Sequence, residues 1–495
     1  SSCPLYAGPV GMTFEQGGSG RAGLAVLTRS GDTLTLGDRI AHHHTTGLST
    51  IEVTSANASR VLKEYQDYFS TSRNSPSGEY KAYIIKATDP GKLKSLITLL
   101  ERNKIEFGYG VSRNANGFNY FTGKNETFSV EKNDLVISAY QPKSVLVKVL
   151  FEPKTVVTDS NTYDITAWAL PYAFGIQSYA TRQVIKPATT TAPESPAAAV
   201  SSNAVAYVAN WSSVADVRFL SSLLKENIKV RYSEVPFESG GKKFNAGSLI
   251  ITRAGNENAV ADFNTVVTNL AAKAGIALQS ISSGMVERGA DLGSNKVRFI
   301  SKPKIAMVLS EQTSSLAYGE VWHFFEEQLG YPVSAIRSRD IPRVNLNEFN
   351  VLIFPDGSYE EITHDRVTDW VRGGGKLIAM ENAVAQLAGK KGFNIKTKED
   401  KKDEKSKDPY ANLQSYESRI RDYLRTSIPG ANYKVNLDNT HPLGFGFPNF
   451  YYTLKLVDRV YDFMSNGWNV GVFRKDNHVS GFVGDQVCPR QMLVL

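Results

Sequence analysis

Residues 82–109 read AYIIKATDPGKLKSLITLLERNKIEFGY, and this pattern sets the architecture of the middle of the chain. The apolar run Ala82–Ile85 predicts a buried strand. Leucines at helical spacing through residues 93–100 predict a helix, and residues 105–109 predict a second strand. The stretch is therefore typical of one strand–helix–strand unit.

The same succession returns as AYVANWSSVADVRFLSSLLKENIKVRY over residues 206–232. Each copy is followed by one more apolar strand, at residues 133–137 and at residues 247–251. Strand–helix–strand–strand occurring twice predicts two related α/β modules, over residues 73–186 and 204–300.

The length of the chain requires several domains. Its 495 residues are too many for one hydrophobic core, and at roughly 100–200 residues per domain we expect three or four units. The run KPATTTAPESPAAAVSS, residues 187–203, predicts a linker between the two modules. The aromatic-rich residues 162–175 before it predict a buried junction rather than a binding surface.

Strands and helices alternate over residues 301–484, which predicts a flavodoxin-like, doubly wound domain with a parallel sheet. The expected strands are 304–309, 351–354 and 375–380, and the expected helices are 316–329 and 362–371. The charged run KTKEDKKDEKSKD, residues 396–408, predicts a solvated loop. The fold class expected for the whole chain is therefore multidomain α/β.

Composition excludes several classes of function. The net charge of +7 comes from scattered Lys and Arg without a dense basic face, so we expect no nucleic-acid partner. No apolar run reaches the roughly 18 residues that predict a membrane span. The two cysteines, Cys3 and Cys488, exclude a disulfide framework and a cysteine-rich metal site, and they disfavour a cysteine nucleophile.

Residues 11–29, GMTFEQGGSGRAGLAVLTR, contain both a glycine motif and an acid. Residues 18–23 match GxGxxG, but the β-branched residues and the Ser-Gly-Asp turn that follow predict a hairpin where a dinucleotide loop needs a helix. We therefore reject a dinucleotide site. Glu15 closes a short strand predicted at residues 10–14, and a partly desolvated carboxylate at such a strand end can exchange protons.

The T-F-E strand end, the glycine-rich turn with Arg21 and a closing helix resemble the end of the peptidase domain in zinc carboxypeptidases of the M14 family. Helical spacing predicts the closing helix over residues 50–69, and residues 38–52 look like its lead-in in the large Bacteroidetes-type members. Those members carry α/β modules after the peptidase domain. The resemblance implies that residues 1–72 end such a domain and that the chain is the C-terminal portion of such a protein.

This resemblance implies a chemistry for one residue of the chain. In the family, Zn²⁺ held by two His and one Glu activates water, and the glutamate of the T-F-E strand shuttles the proton during hydrolysis of C-terminal peptide bonds. Glu15 carries over as that general acid/base, while the zinc ligands lie upstream in the family and are not supplied by this chain. The implied substrate is a peptide or protein, and the implied location is extracytoplasmic, in the periplasm or at the cell surface.

The alternative function is a non-catalytic binding or scaffold protein in a periplasmic or outer-membrane assembly, with protein partners held by the accessory modules. His323 and Glu326 form an H-x-x-E, which we interpret as part of an amphipathic helix. The three histidines at residues 42–44 are interpreted as a solvated turn rather than a metal site.

The last domain resembles class I glutamine amidotransferase-like domains, in which a Cys nucleophile occupies the sharp turn after a strand. The corresponding turn here, residues 378–383, contains no Cys, and His441 has no nucleophile to serve. The resemblance therefore implies a catalytically inactive domain, retained for packing or for binding a partner or ligand. Glu381, at this turn, is the candidate binding residue.

Overall fold

The computed structural model describes most of the chain. The described residues are 6, 8, 10–14, 23–28, 30–110, 112–155, 157, 164–193, 201, 203–398, 415–474, 476–487 and 493–494. Within them the protein is mixed α/β and contains six separate sheets, so the multidomain α/β class is confirmed at this level.

The N-terminal hairpin forms where the sequence predicts it. Strands β1 (Ala25–Leu27) and β2 (Thr33–Thr35) pair in antiparallel fashion. Residues 10–14, predicted as a strand, form no strand in the structure.

Two helices follow this hairpin, α1 (Leu36–Ala56) and α2 (Ala58–Asn74). The sequence predicted helix only over residues 50–69. Helix α1 begins earlier because the side chain of Thr35 accepts a hydrogen bond from the backbone N–H of Asp38, whose carboxylate in turn accepts from the N–H of Thr35.

The first module is an antiparallel sheet with strand order β4-β7-β3-β8-β5-β6. Its elements are β3 (Ala82–Ile85), α3 (Pro90–Arg102), β4 (Gly108–Tyr109), β5 (Arg113–Asn119), β6 (Lys124–Val130), β7 (Leu135–Ser138), α4 (Ser144–Phe151), α5 (Leu170–Phe174) and β8 (Ser178–Thr181). Tyr83 and Ile85 point to one face of the sheet and pack with side chains of the three helices. Ala82 and Ile84 point to the other face and pack with Phe128 of β6.

The second module is also antiparallel, with strand order β14-β9-β13-β10-β15. Its elements are β9 (Ala206–Ala209), α6 (Val214–Lys225), β10 (Arg231–Ser233), β11 (Phe237–Ser239), β12 (Lys242–Phe244), β13 (Leu249–Thr252), α7 (Phe263–Ala274), β14 (Gln279–Ile281) and β15 (Val297–Phe299). Tyr207 faces the helices, as Tyr83 does in the first module. The separate β11–β12 hairpin packs on the opposite face through Phe237 and Phe244.

The two modules are related by their connections. The order β4-β7-β3-β8 of the first corresponds to β10-β13-β9-β14 of the second, with α3 matching α6 and the β5–β6 hairpin matching β11–β12. Lys104 and Asn227, which follow the matching helices, both have positive φ, 55° and 57°.

A buried amide side chain closes the same loop in each module. The Gln141 amide binds both backbone groups of Glu106 (N 2.7 Å, O 2.9 Å) and donates to the carbonyl of Ser138 (2.8 Å). The Asn256 amide binds both backbone groups of Lys229 (N 2.8 Å, O 3.0 Å) and donates to the carbonyl of Thr252 (2.9 Å). This shared detail supports an internal duplication.

A parallel sheet follows, with strand order β17-β16-β18-β19. Its elements are β16 (Ile305–Leu309), α8 (Ser315–Trp322), a π-helical turn (His323–Gln328), β17 (Val333–Arg337), β18 (Val351–Phe354), α9 (Asp365–Arg372), β19 (Lys376–Ala379) and α10 (Asn382–Leu387). This is the strand order 2-1-3-4 that begins a doubly wound sheet of the flavodoxin type.

A further antiparallel sheet is formed by strands between residues 430 and 494. The sequence predicted a single doubly wound domain over residues 301–484, so this separate sheet was not predicted. Its elements are α11 (Arg419–Arg425), β20 (Gly430–Leu437), β21 (Phe450–Lys455), β22 (Gly471–Phe473), β23 (His478–Phe482) and β24 (Leu493–Val494). We call it the C-terminal sheet. β20 is its central strand, pairing with β21 on one side and with β22 and β23 on the other.

The C-terminal sheet docks on the first module. The Tyr452 hydroxyl donates to the carbonyl of Tyr120 (2.6 Å), and the Lys434 ammonium donates to the carbonyl of Phe121 (2.6 Å). The hydroxyl of Thr166, in the predicted junction, donates to the carbonyl of Gly430 (2.8 Å). In the described part of that junction Thr166 and Tyr172 are buried as expected, whereas Ile165 and Trp168 are exposed.

Candidate functional site

Glu15, the residue predicted as general acid/base, lies outside the described residues, as do residues 18–22 of the glycine motif. Gly23 is described, and the β1–β2 hairpin follows it. A hairpin in this position agrees with rejecting a dinucleotide loop, which needs a helix there.

The histidine patterns do not assemble a metal site in the described residues. Histidines 42–44 lie within helix α1 and are exposed, where the sequence had suggested a turn. The Glu326 carboxylate accepts the backbone N–H of Val333 (3.2 Å), and His323 Nδ1 contacts the side chain of Gln328 (3.3 Å). Within the described ranges, no group of three His, Cys, Asp or Glu is placed to hold a metal ion.

Glu381 occupies a strained turn between β19 and α10. Its φ of 50° and ψ of −116° are those of the first central residue of a type II′ turn, a position that favours glycine. The turn is held by two neighbours: the N–H of Met380 donates to the carbonyl of Phe354 (3.0 Å), and Asn382 donates to the Asp356 carboxylate through its backbone N–H (3.1 Å) and its amide (2.8 Å). The amidotransferase resemblance places a nucleophile at a turn of this kind.

Replacing Glu381 with Gly is expected to raise the free energy of unfolding by about 1–2 kcal/mol. Glycine adopts this backbone conformation without strain, but the greater backbone entropy of glycine in the unfolded chain offsets part of the stabilisation. Glu381→Ala keeps the backbone strain and is the matched control. Urea denaturation of both variants measures the difference. A Gly variant no more stable than the Ala variant would show that the turn stores no strain.

A cavity of about 400 Å³ opens beside this turn. We call it the Glu381 cavity; it is lined by residues 379–381, 384, 395, 453–457, 459, 461, 462, 464 and 473. One wall is the carboxyl end of β19 with α10, and the other is β21 of the C-terminal sheet with the loop that follows it. The cavity thus lies between two sheets.

Hydrogen bonds close the seam between these walls. The N–H of Lys398 donates to the carbonyl of Val460 (2.9 Å), and the N–H of Asp462 donates to the carbonyl of Lys396 (2.9 Å). The Arg459 guanidinium donates to the side-chain oxygen of Asn382 (3.0 Å), which directly follows Glu381. The charged loop 456–462 is therefore tied to the strained turn.

Lys455 is the most perturbed titratable group of the cavity. Burial lowers the pKa of its ammonium to about 8, although the negative charges of Asp458 and Glu381 oppose that shift. Its Nζ donates to the carbonyl of Arg459 (2.9 Å), and among the described residues it has no carboxylate within 4.0 Å. Because a lysine ammonium has three N–H donors, Lys455 has donors left for a ligand.

The cavity lies to one side of the usual binding crevice of such a sheet. In doubly wound sheets, ligands bind at the carboxyl ends of the strands where the strand order reverses, which here is between β16 and β18. Thr313 and Gly357 form a β-bridge across that point, and a Cβ on Gly357 would stand 2.8 Å from the Cα of Thr313. The bridge closes the crevice at that point, and open space lies on both sides of it. The Glu381 cavity lies toward β19, and a second cavity of about 300 Å³ lies beside Leu309 and Arg337 at the carboxyl ends of β16 and β17.

The sequence indicated Glu381 but missed Lys455 and Arg459. Glu381 was recognisable because it follows an apolar strand and precedes a helix. Lys455 and Arg459 come from the C-terminal sheet, which the sequence did not separate from the parallel sheet. Their approach to Glu381 is a tertiary contact without a local sequence signal.

Comparison with protein-family models, with curated proteins and with solved structures gives no match for this chain. Among the helices that the structure describes, none combines the length and the apolar character needed to cross a bilayer.

Proposed function

We propose that this chain is a binding protein that holds a small zwitterion with an apolar body, such as an apolar amino acid, in the Glu381 cavity. The observation that carries the proposal is the strained turn at Glu381, which opens on a cavity of about 400 Å³ with an isolated, partly buried lysine. Backbone strain of this kind persists where the surrounding structure enforces it, and it clusters at ligand sites.

The charges that line the cavity favour a ligand carrying both signs. Lys455 and Arg459 offer donors to a carboxylate, and Glu381 and Asp462 offer acceptors to an ammonium group. Two cations and two anions balance, so a ligand with a single charge would leave one pair of groups without a partner. Val384, Ile395 and other apolar side chains supply the wall for an apolar body.

Calorimetric titration with L-phenylalanine tests the proposal. The wild-type chain should bind one molecule, and Val384→Trp, which fills the cavity, should weaken binding at least tenfold, about 1.4 kcal/mol. Leu443→Trp is the matched control, because Leu443 is 76% exposed and does not line the cavity. Absence of binding to the wild type, or equal binding by the two variants, would refute the proposal.

We propose in addition that the natural protein containing this chain is a zinc carboxypeptidase of the M14 type, with Glu15 as its general acid/base. The observation that favours this second function is the exposed apolar side of α1, a helix that contains the expected lead-in (residues 38–52) and the first residues of the expected closing helix (residues 50–69). An apolar side of this kind would pack against the rest of such a peptidase domain. The side chains on that side, all at least 41% exposed, are Leu36, Ile40, Leu48 and Ile51. Zinc ligands would come from residues outside this chain.

A further inference from the structure

The Lys455 amine differs from the other charged groups of the cavity in its chemical reactivity. It sits 2.9 Å from a backbone carbonyl oxygen, beside the aromatic ring of Phe473, and no carboxylate of the described residues pairs with it. A lysine in an apolar pocket without an ionic partner is the arrangement that yields a nucleophilic amine at neutral pH. We propose that Lys455 captures apolar aldehydes as a reversible imine in the Glu381 cavity.

Imine formation at Lys455 needs only the amine, the aldehyde and solvent. The neutral Nζ adds to the carbonyl carbon, forming a C–N bond while the carbonyl oxygen takes a proton. One of the two Nζ protons moves to that oxygen and solvent supplies a second, so the oxygen leaves as water. A C=N bond remains, and the protonated imine keeps one N–H. That N–H can still donate to the carbonyl of Arg459, as the free amine does. The product is an aldehyde held covalently, with no oxidant or reductant consumed.

The charges around Lys455 come from both walls. Glu381 lies on the turn after β19, and Asp458, Arg459, Tyr461 and Asp462 lie on the loop after β21. Glu381 and Asp458 stabilise the positive iminium as they stabilise the ammonium, while Arg459 opposes both. The exposed Glu381 carboxylate lines the same cavity.

The pH dependence follows from the depressed pKa of Lys455. With a pKa of about 8 for this amine, about a quarter of it is neutral at pH 7.5, against about one part in a thousand for an ordinary lysine. The reaction rate should therefore rise with pH and level off above a midpoint near 8. Other surface lysines should keep gaining reactivity up to about pH 10.

Benzaldehyde with cyanoborohydride, followed by peptide mapping, tests the proposal on the whole chain. The reduced adduct should form on Lys455 at least tenfold faster than on other lysines, and the pH dependence of its rate should have a midpoint near 8. Lys455→Arg, which keeps the charge, should abolish this fast phase. Lys434→Arg is the matched control: burial also lowers the pKa of Lys434, but that lysine donates to Phe121 outside the cavity.

Equal labelling of all lysines, or a fast phase that survives Lys455→Arg, would overturn the proposal. The inference uses the same cavity as the proposed amino-acid site, and competition separates the two. Protection of Lys455 by saturating phenylalanine supports both if the labelling of other lysines is unchanged, because consumption of benzaldehyde by the amino acid would slow the labelling of every lysine. Fast labelling of Lys455 that phenylalanine does not slow supports the imine proposal and refutes the amino-acid site. Phenylalanine binding without fast labelling of Lys455 refutes only the imine proposal.

Discussion

Asp134→Ala is expected to lower the free energy of unfolding by about 3–5 kcal/mol, because it leaves a buried cation without its counter-charge. The Asp134 side chain is only 2% exposed and forms an ion pair with the Lys86 ammonium. It also accepts the backbone N–H groups of Ala87 (3.1 Å) and Glu131 (2.7 Å). One carboxylate therefore joins the end of β3 to the turn before β7. Its loss leaves the N–H groups of Ala87 and Glu131 unsatisfied and leaves the Lys86 ammonium with only the carbonyl of Ser129 (3.0 Å).

Urea denaturation of Asp134→Ala, Lys86→Met and the double variant measures this effect. The double variant should recover part of the loss, since removing both partners leaves no unpaired charge. Asp369→Ala is the control, because Asp369 pairs with Arg372 on the surface and should change stability by less than about 0.5 kcal/mol. A loss below about 1 kcal/mol for Asp134→Ala would contradict the packing described for the first module.

If the peptidase proposal is right, Glu15→Gln is expected to reduce kcat for peptide hydrolysis by about 10²–10⁴-fold. The proposed role of the carboxylate is to take a proton from the attacking water and to pass it to the leaving amine. Glutamine has a similar shape but cannot exchange that proton. Hydrolysis of a blocked dipeptide, together with the metal content of each variant, measures the effect.

The control for this experiment is Glu52→Gln, an exposed acid in the middle of helix α1. It should leave kcat unchanged. Metal content should be the same in all three proteins, because Glu15 is not proposed as a ligand. Equal activity of Glu15→Gln and the wild type would end the assignment, and an inactive wild type would remove the peptidase proposal while leaving the Glu381 cavity untouched.

Much of the fold was predictable because its signals are local. The apolar runs at β3, β9, β16 and β18 mark buried strands, and the repeated succession of elements predicted the duplication. The start of α1 was missed because it depends on the capping box of Thr35 and Asp38, whereas the apolar spacing becomes regular only later. Residues 10–14 were apolar enough for a strand but have no strand partner among the described residues.

The candidate site was predictable only in part because its two walls are distant in sequence. Glu381 belongs to a strand–turn–helix pattern that a sequence shows. Lys455 ends a strand of the C-terminal sheet, and its neighbours across the cavity come from another sheet. No periodicity in the sequence reports that approach, and the pKa shift of Lys455 arises from it.

Hydrogen–deuterium exchange with and without saturating L-phenylalanine tests the central claim most directly. If the Glu381 cavity is the binding site, exchange should slow in residues 379–384 and 453–462, the two walls, while both duplicated modules stay unchanged. Protection that is confined to the modules, or the absence of any protection at saturating ligand, would contradict the account.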